Sequence, residues 1–409
     1  MQNIDQNKLY FFLYSFPLIA LSRSFLINLY FIISSLIFLY LFYKNESKIE
    51  DNIKLIIKSF FLFYIYIIII SFFSHEPFSS LKSSFSQLRF FLYFLFCFYF
   101  CTFNFKIFKN LVLTFQIIIF FFSIDLIFQS FMGFNFFGLK PVLDNPNRFS
   151  GMFGDELVAG TFIYFLATPI IAHIVGQFKI YSNKLKIFNI IFIFVVTLAI
   201  IQTGDRMSTL LYFSSLIIVL FIILNSKMFL RLLFVILFFL ILALSSFQNV
   251  NKRYSNLYDD LSNIKNFGYV RLFSSSLNIW LNNKVFGVGV KNYRNVCDIS
   301  TIDKNTNLQT LCSTHPHNYA LELFVETGLV GFFLFFVFIF FIFKYLYLKK
   351  TLFKKENVYS SYAIGLLITL CFFLWPIKSS GSMFTTFYMS FVWFNLSILF
   401  CCTKECNGK

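Results

Sequence analysis

Apolar residues fall along this chain in blocks of about twenty, separated by short polar segments. A helix needs about 20 apolar residues to cross a hydrocarbon core of about 30 Å. Blocks of that kind occupy 9–21, 24–43, 55–73, 88–103, 109–131 and 157–175, then 187–203, 208–224, 229–247, 320–343, 358–376 and 383–402. The pattern predicts an all-α fold, a polytopic transmembrane bundle of about twelve helices. Eleven is the competing count, because the first block is short and holds Pro17; it is too polar at its start for a signal peptide and has no A-x-A cleavage site. One long hydrophilic loop, 248–319, divides helices one to nine (1–247) from helices ten to twelve (320–409). Within it, residues 268–283 keep a helical period. Val270, Phe273, Leu277 and Trp280 or Leu281 share one face and Arg271, Ser275, Asn278 and Asn282 the other, as in a short amphipathic helix lying at a lipid surface.

Composition removes the soluble alternatives. The chain is 58% hydrophobic and 13% charged, about half the charged share of an ordinary soluble domain. Aromatic residues make up 22%, nearly all Phe and Tyr, which fits general replacement of Leu by Phe better than a specific aromatic function.

The net charge of +16 is uneven. With the N-terminus in the cytoplasm, the inside segments hold 19 Lys and Arg and the short outside segments hold seven: Arg23, Lys82, Arg89, Lys140, Arg148, Arg206 and Lys378. The positive-inside rule then predicts two cytoplasmic termini and a periplasmic 248–319 loop. Of eight Arg, Arg231 alone falls inside. Lys suffices as a topological signal, whereas the planar Arg fork binds phosphate bidentately, so the outer face is suited to hold phosphate. Cys297 and Cys312 are the only cysteines in the long loop, and an oxidising compartment would pair them. Cys401, Cys402 and Cys406 read as small apolar residues, and no nucleic-acid partner is expected.

The candidate chemistry gathers on the same face. Thr314-His315-Pro316-His317-Asn318 opens the tenth predicted helix, with Thr314 or His315 as N-cap and Pro316 at the first helical position. That would place His317 in the first turn, where the positive helix end keeps an imidazole neutral and able to take a proton from a sugar hydroxyl. Capping histidines and a His-x-His metal site are the alternatives; no Asp, Glu or Cys cluster completes the latter at a readable spacing. Gly204-Asp205-Arg206 ends the seventh helix, where an Arg at the membrane boundary is costly unless paired or functional. Arg148-Phe-Ser-Gly151 precedes the sixth helix, whose start is expected at Asp155 and Glu156, and Asp125 and Gln129 turn one polar face of the fifth helix toward that loop. The lone Gly287-x-Gly289 reads as a turn.

Taken in order, these motifs resemble the O-antigen ligase and O-antigen polymerase superfamily of polytopic bacterial inner-membrane enzymes. The resemblance rests on Arg148-Phe-Ser-Gly, Thr203-Gly-Asp-Arg206, Arg271 followed by Trp280 and Phe286-Gly-Val-Gly289, and His315-Pro-His317-Asn318 leading into Glu326-Thr-Gly328-Leu-Val-Gly331. Asp205 departs from it, since relatives often have Ser before the Arg. The resemblance implies metal-independent glycosyl transfer at the periplasmic face, without a cofactor, from a polyprenyl-diphosphate-linked glycan. The acceptor is lipid A-core in a ligase and another lipid-linked repeat unit in a polymerase. On this reading His317 deprotonates the acceptor hydroxyl, Arg206 and Arg271 hold the diphosphate with help from Arg148, and His315, Asn318 and Glu326 play secondary parts. A polyprenyl-glycan transporter is a further alternative, but transporters place ionisable groups near the midplane, and here they gather at one face.

Overall fold

A computed structural model describes residues 6–22, 24–46, 48–143, 145–234, 255, 262, 267–299, 302–303, 308–354 and 357–404. In lipid every backbone N–H and C=O must be paired within the protein, which favours helices, and the described residues are almost entirely helical. The helices before the long loop are α1 (Gln6–Tyr14), α2 (Phe16–Ala20), α3 (Ser24–Lys44), α4 (Asp51–Phe72), α5 (Pro77–Ser86), α6 (Leu88–Phe100), α7 (Phe105–Met132), α8 (Ala159–Gln177), α9 (Asn183–Gln202) and α10 (Arg206–Ile223). Within and after it come α11 (Gly268–Asn282), α12 (Tyr293–Val296), α13 (Tyr319–Leu348), α14 (Ser360–Phe373) and α15 (Thr386–Lys404). One two-residue antiparallel pair, Ile302–Asp303 with Leu308–Gln309, lies between α12 and α13.

Among the described residues eight helices are long and apolar enough to cross a membrane: α3, α4, α7, α8, α9, α10, α13 and α15. Three more predicted spans are shorter than expected. Block 9–21 divides into α1 and α2, with Pro17 near the start of the second. Block 88–103 reduces to the 13 residues of α6, and block 358–376 to the 14 of α14. Of block 229–247, residues 235–247 lie outside the described residues, as does most of 248–266. The sixth block starts later than its acidic residues suggested. Asp155 and Glu156 lie in the preceding turn and α8 begins at Ala159, because Ser150–Gly154 already forms a tight turn closed by Ser150 Oγ donating to Gly154 O.

The innermost helix is α8, buried along nearly its whole length between α7, α9, α10 and α14. Exposed apolar side chains cover the outer faces of α3, α4 and α13, the distribution expected where lipid replaces water as the surrounding solvent.

Helices α1–α2 and α5–α6 follow one another through the single right-handed-helical residues Ser15 and Gln87, and the other connections fall at two ends of the bundle. Polar contacts tie one set of loops together. Glu76 N donates to Asn292 Oδ1 (2.8 Å), Thr386 Oγ1 to Asn28 Oδ1 (3.0 Å) and Asn318 Nδ2 to Pro376 O (2.6 Å). At the other end Glu50 N donates to Tyr99 OH (3.1 Å) and Tyr345 OH pairs with Thr403 Oγ1 (3.1 Å). The first set carries every candidate motif. Asp125 and Gln129 serve it structurally: Asp125 accepts from Phe136 N (2.8 Å) and Asn135 Nδ2 (3.2 Å), and Gln129 Oε1 accepts from Gly151 N (2.8 Å) and Ser150 N (3.1 Å).

α13 is broken. Gly328 takes φ 65°, ψ −171° inside it, which frees backbone groups on both sides of the break. The chain at 284–289 pairs them. Val288 N donates to Val325 O (2.9 Å) and Gly289 N to Glu326 O (3.0 Å), while Leu329 N donates to Lys284 O (2.9 Å) and Val330 N to Val285 O (3.3 Å). Tyr66 OH on α4 donates to Thr327 O (2.6 Å). The two glycine-containing motifs are therefore halves of one contact. A Cβ on Gly287 would sit 2.6 Å from the Glu326 carbonyl carbon, and one on Gly328 would sit 2.2 Å from Val285 O.

A comparison of two glycines tests this contact. Gly133 caps α7 at φ +76° with nothing within 4 Å of an added Cβ, so Gly133→Ala should cost only the left-handed penalty, about 1–2 kcal/mol. Gly287, at φ +72°, meets backbone as well, and Gly287→Ala should cost at least about twice as much. Thermal unfolding of the two purified variants in detergent checks the ranking; equal losses would show that the 284–289 contact is loose.

Candidate active site

Asn318 organises the histidine motif. It is the N-cap of α13: Oδ1 accepts from Leu321 N (2.9 Å), and Nδ2 donates to Pro376 O (2.6 Å) and Lys378 O (3.0 Å). This corrects the expected cap at Thr314 or His315, with Pro316 opening the helix and His317 in its first turn. Asn is among the best N-cap residues, and here its amide also anchors the 374–385 loop. His317 therefore stands just outside the helix, at the left-handed φ of 53°, a conformation costing a non-glycine residue of order 1–3 kcal/mol. Its carbonyl accepts from Ser380 N (2.8 Å), its Nε2 pairs with Ser313 Oγ (3.0 Å), and its ring centroid lies 4.1 Å from that of His315.

Three further segments meet this turn. Thr203 ends α9 and Asp205 caps α10, accepting from Ser208 Oγ (2.7 Å) and Ser208 N (3.3 Å). The intervening Gly204 lies against the Arg148 loop, where a Cβ would come within 2.7 Å of Asn147 O, so the Arg148 and Arg206 motifs touch. α11 brings Tyr269 to within 6.1 Å of the His317 ring. Its serine side is buried against the protein while Leu277 and Leu281 are exposed, and Trp280 packs on Phe324 of α13. Cys297 and Cys312 are joined by a disulfide, with Cα atoms 5.8 Å apart, in the segment leading to the histidines.

Together these segments enclose a cavity of about 390 Å³, whose wall includes Arg148, Asp205, Tyr269, His315, His317, Lys378, Ser380 and Tyr388. Burial sets the charge states. Desolvation lowers His315 to about 4, helped by His317, and lowers His317 as well. The cause of neutrality is thus burial rather than the helix end. Desolvation likewise brings Lys378 down to about 8, opposed by the attraction of Asp205. Arg148 Nη2 reaches Leu157 O at 3.4 Å, while Arg148 Nε, His315 Nε2 and Ser380 Oγ are buried without a partner among the described residues. Unpaired buried donors are costly, so the wall is prepared for an anionic or hydroxyl-rich guest. Thr161 Oγ1 and Tyr388 OH, 3.1 Å apart, add hydroxyls deeper in.

The residues singled out in the sequence do not all converge. Arg148, His315 and His317 line the cavity; Arg206 and Arg271 do not. Arg206 is the residue after Asp205, and Arg271 donates from Nη2 to Gln309 O (2.5 Å). Glu326 is buried with its carboxylate accepting from Lys291 N (2.6 Å) and Tyr293 N (3.4 Å), apart from the cavity. Glu322, one turn earlier, accepts from Met383 N (2.6 Å) and Ser382 Oγ, so α13 grips the 374–385 loop a second time. Sequence reasoning missed Lys378, Ser313 and Tyr269. The available signal for Lys378 was a Lys followed by Ser-Ser-Gly-Ser in a short loop between two apolar helices. Among the described residues no group of three or more His, Cys, Asp or Glu is placed to hold a metal ion.

The buried histidines predict a pH dependence of stability. His315 is neutral in the folded protein down to about 4 but protonates near 6.5 when unfolded. Between those values the unfolded chain binds more protons, so stability is complete above pH 6.5 and falls as pH drops through the window. His315→Gln should flatten that fall, measured as melting temperature between pH 7 and 4.5; an unchanged slope would mean that the His315 ring protonates freely in place.

A comparison with curated proteins finds no match. Residues 190–336, about a third of the chain, match the family model described as O-Antigen ligase. That segment runs from α9 to the first half of α13 and contains Asp205, Tyr269, both histidines and the Gly328 break. Over those residues the chain is similar to the O-antigen ligase family, and the eight long apolar helices among the described residues give it several candidate membrane spans.

Proposed function

We propose that this protein is a metal-independent glycosyltransferase of the O-antigen ligase type. It would move a glycan from a polyprenyl-diphosphate donor to a lipid A-core-type acceptor at the periplasmic face of the inner membrane. The single observation carrying this reading is one cavity that holds a neutral imidazole, His317, beside two cations, Arg148 and Lys378. His317 Nε2 pairs with Ser313 Oγ (3.0 Å), and in the tautomer that carries its proton on Nε2 the lone pair lies on Nδ1, the tautomer logic of catalytic imidazoles. The acceptor oxygen attacks the anomeric carbon, its proton passes to His317, and the bond from that carbon to the diphosphate oxygen breaks with its electron pair leaving on the diphosphate. Arg148 and Lys378 stabilise that charge in a site of low dielectric. Arg206, directly after Asp205, and Arg271, two residues after Tyr269, would guide the diphosphate from outside the cavity wall; His315 supports the His317 ring, and Asn318 and Glu326 hold the loops.

Purified variants in a liposome transfer assay test the chemistry. His317→Ala should lose about 10²–10⁴-fold in rate with donor binding largely kept. Arg148→Gln and Lys378→Gln should lose donor affinity and rate together, and Arg206→Lys and Arg271→Lys should do so to a smaller degree, since charge stays and the bidentate fork goes. His315→Ala should weaken turnover only in part. Near-normal turnover in His317→Ala, or loss of wild-type turnover on adding chelator, would reject the mechanism. Offering lipid A-core and lipid-linked repeat units separately identifies the acceptor, and product on the repeat unit alone would reassign the protein as a polymerase.

Orientation is tested separately. The site end is proposed to be periplasmic and both termini cytoplasmic. On a background whose free cysteines are replaced by serine, a cysteine at Asn283 should react with a membrane-impermeant reagent in intact spheroplasts and one at Lys350 should not. The reverse pattern would invert the topology.

A further inference from the structure

We propose that a second, basic cavity at the site end binds the phosphate headgroup of an anionic lipid. This inference is independent of the glycosyl-transfer reading. The cavity has a volume of about 460 Å³ and collects Lys82 from α5, Arg89 from α6, and Lys291 and Arg294 from the α11–α12 region, with no acidic side chain in its wall. Among the described residues none of the four makes an ion pair. Four cations on separate elements repel one another unless an anion joins them. Burial first, and then Arg294, pull the Lys291 ammonium below its usual value, against the attraction of Glu326 and Glu322 buried behind the cavity wall.

The arrangement is held in place from outside the cavity. Lys291 takes the left-handed φ of 57°, and its N–H is held by the buried Glu326 carboxylate (2.6 Å). Glu326 is thereby a positioning residue for Lys291. Arg89 is fixed by Nη1 donating to Ser86 O (2.6 Å) and Nη2 to Thr386 Oγ1 (3.1 Å), which leaves its buried Nε unpartnered.

The two cavities are neighbours without sharing a residue. Thr385 and Phe387 line the cavity of the histidines, whereas Phe384 and Thr386 line this one, so alternate residues at the start of α15 form a common wall.

The rim indicates an amphiphile rather than a free anion. Ile32 lines the cavity and is exposed, and along the same helix Phe25 is 72% exposed; beside the cavity serines of α5, Phe78 is 83% and Phe85 54% exposed. A phosphate among the cations would leave acyl chains against these rings, and a basic cluster next to an apolar surface at a membrane boundary attracts anionic headgroups.

Native mass spectrometry of the purified full-length protein gives the test, with phosphatidylglycerol, phosphatidylcholine and inorganic phosphate as probes. Lys82→Gln combined with Arg294→Gln changes two exposed side chains, so folding should be unaffected, as the melting temperature would confirm. The wild type should retain phosphatidylglycerol over phosphatidylcholine. The double variant should lose at least about tenfold of that retention, with Lys350→Gln, a basic residue at the opposite end, unchanged. Equal retention by the double variant would overturn the site. Displacement of phosphatidylglycerol by equimolar inorganic phosphate would overturn its assignment to a lipid. Unchanged transfer by a variant that no longer holds the lipid would leave the catalytic reading intact, so the two can fail separately.

Discussion

The break in α13 at Gly328 is the constraint on which the rest of the site end depends. A helix interrupted within a membrane protein frees backbone groups that lipid cannot satisfy. The 284–289 segment satisfies them by pairing with residues 325–330 on both sides of the break. The region after α11 is thereby fixed to the helix that carries the histidines. From this one contact follow the placement of Lys291 and Tyr293 over Glu326, the anchoring of α12, and the short path through the Cys297–Cys312 disulfide back to the start of α13.

The first half of α13 is also the support of the candidate site. Asn318 and Glu322, four residues apart and so on one helix face, both reach across to the 374–385 loop and hold its beginning and its end. That loop delivers Lys378 and Ser380 to the cavity of His317. The strained backbone of His317 is tolerated because Asn318 caps the helix on one side and Ser380 binds its carbonyl on the other. Burial then does the electrostatic work, keeping both imidazoles neutral and lowering the affinity of Lys378 for its proton.

Charge is divided between the ends in a way that suits each. The far end carries mostly Lys at helix termini and loops. The site end carries five of the six Arg among the described residues: Arg148 lines the cavity with the histidines, Arg89 and Arg294 line the one without, and Arg206 and Arg271 line neither. The residues 384–387 form a wall between the two cavities, across which Arg294 and Lys291 still help to lower His315.

Local patterns fixed what depends on local physics. Block length and hydropathy located the membrane helices, and the 3.6-residue period located α11 within one residue of its end. The restricted choice of partners in the long loop identified the cysteine pair, and the motif order pointed to the family. Decisions involving residues far apart in the chain were invisible. Nothing in Thr314–Asn318 says that Asn318 will be the cap, because its advantage comes from the carbonyls of Pro376 and Lys378, about sixty residues away. Nothing near Arg271 says that Tyr269, and not the Arg, turns to the histidines. Gly287-x-Gly289 looked like a turn because its partner, the opened helix at Gly328, exists only once both segments are packed. Secondary structure follows from neighbours along the chain, whereas a cavity is lined by whichever side chains the packing of distant helices leaves facing one another, and only the tertiary structure decided that.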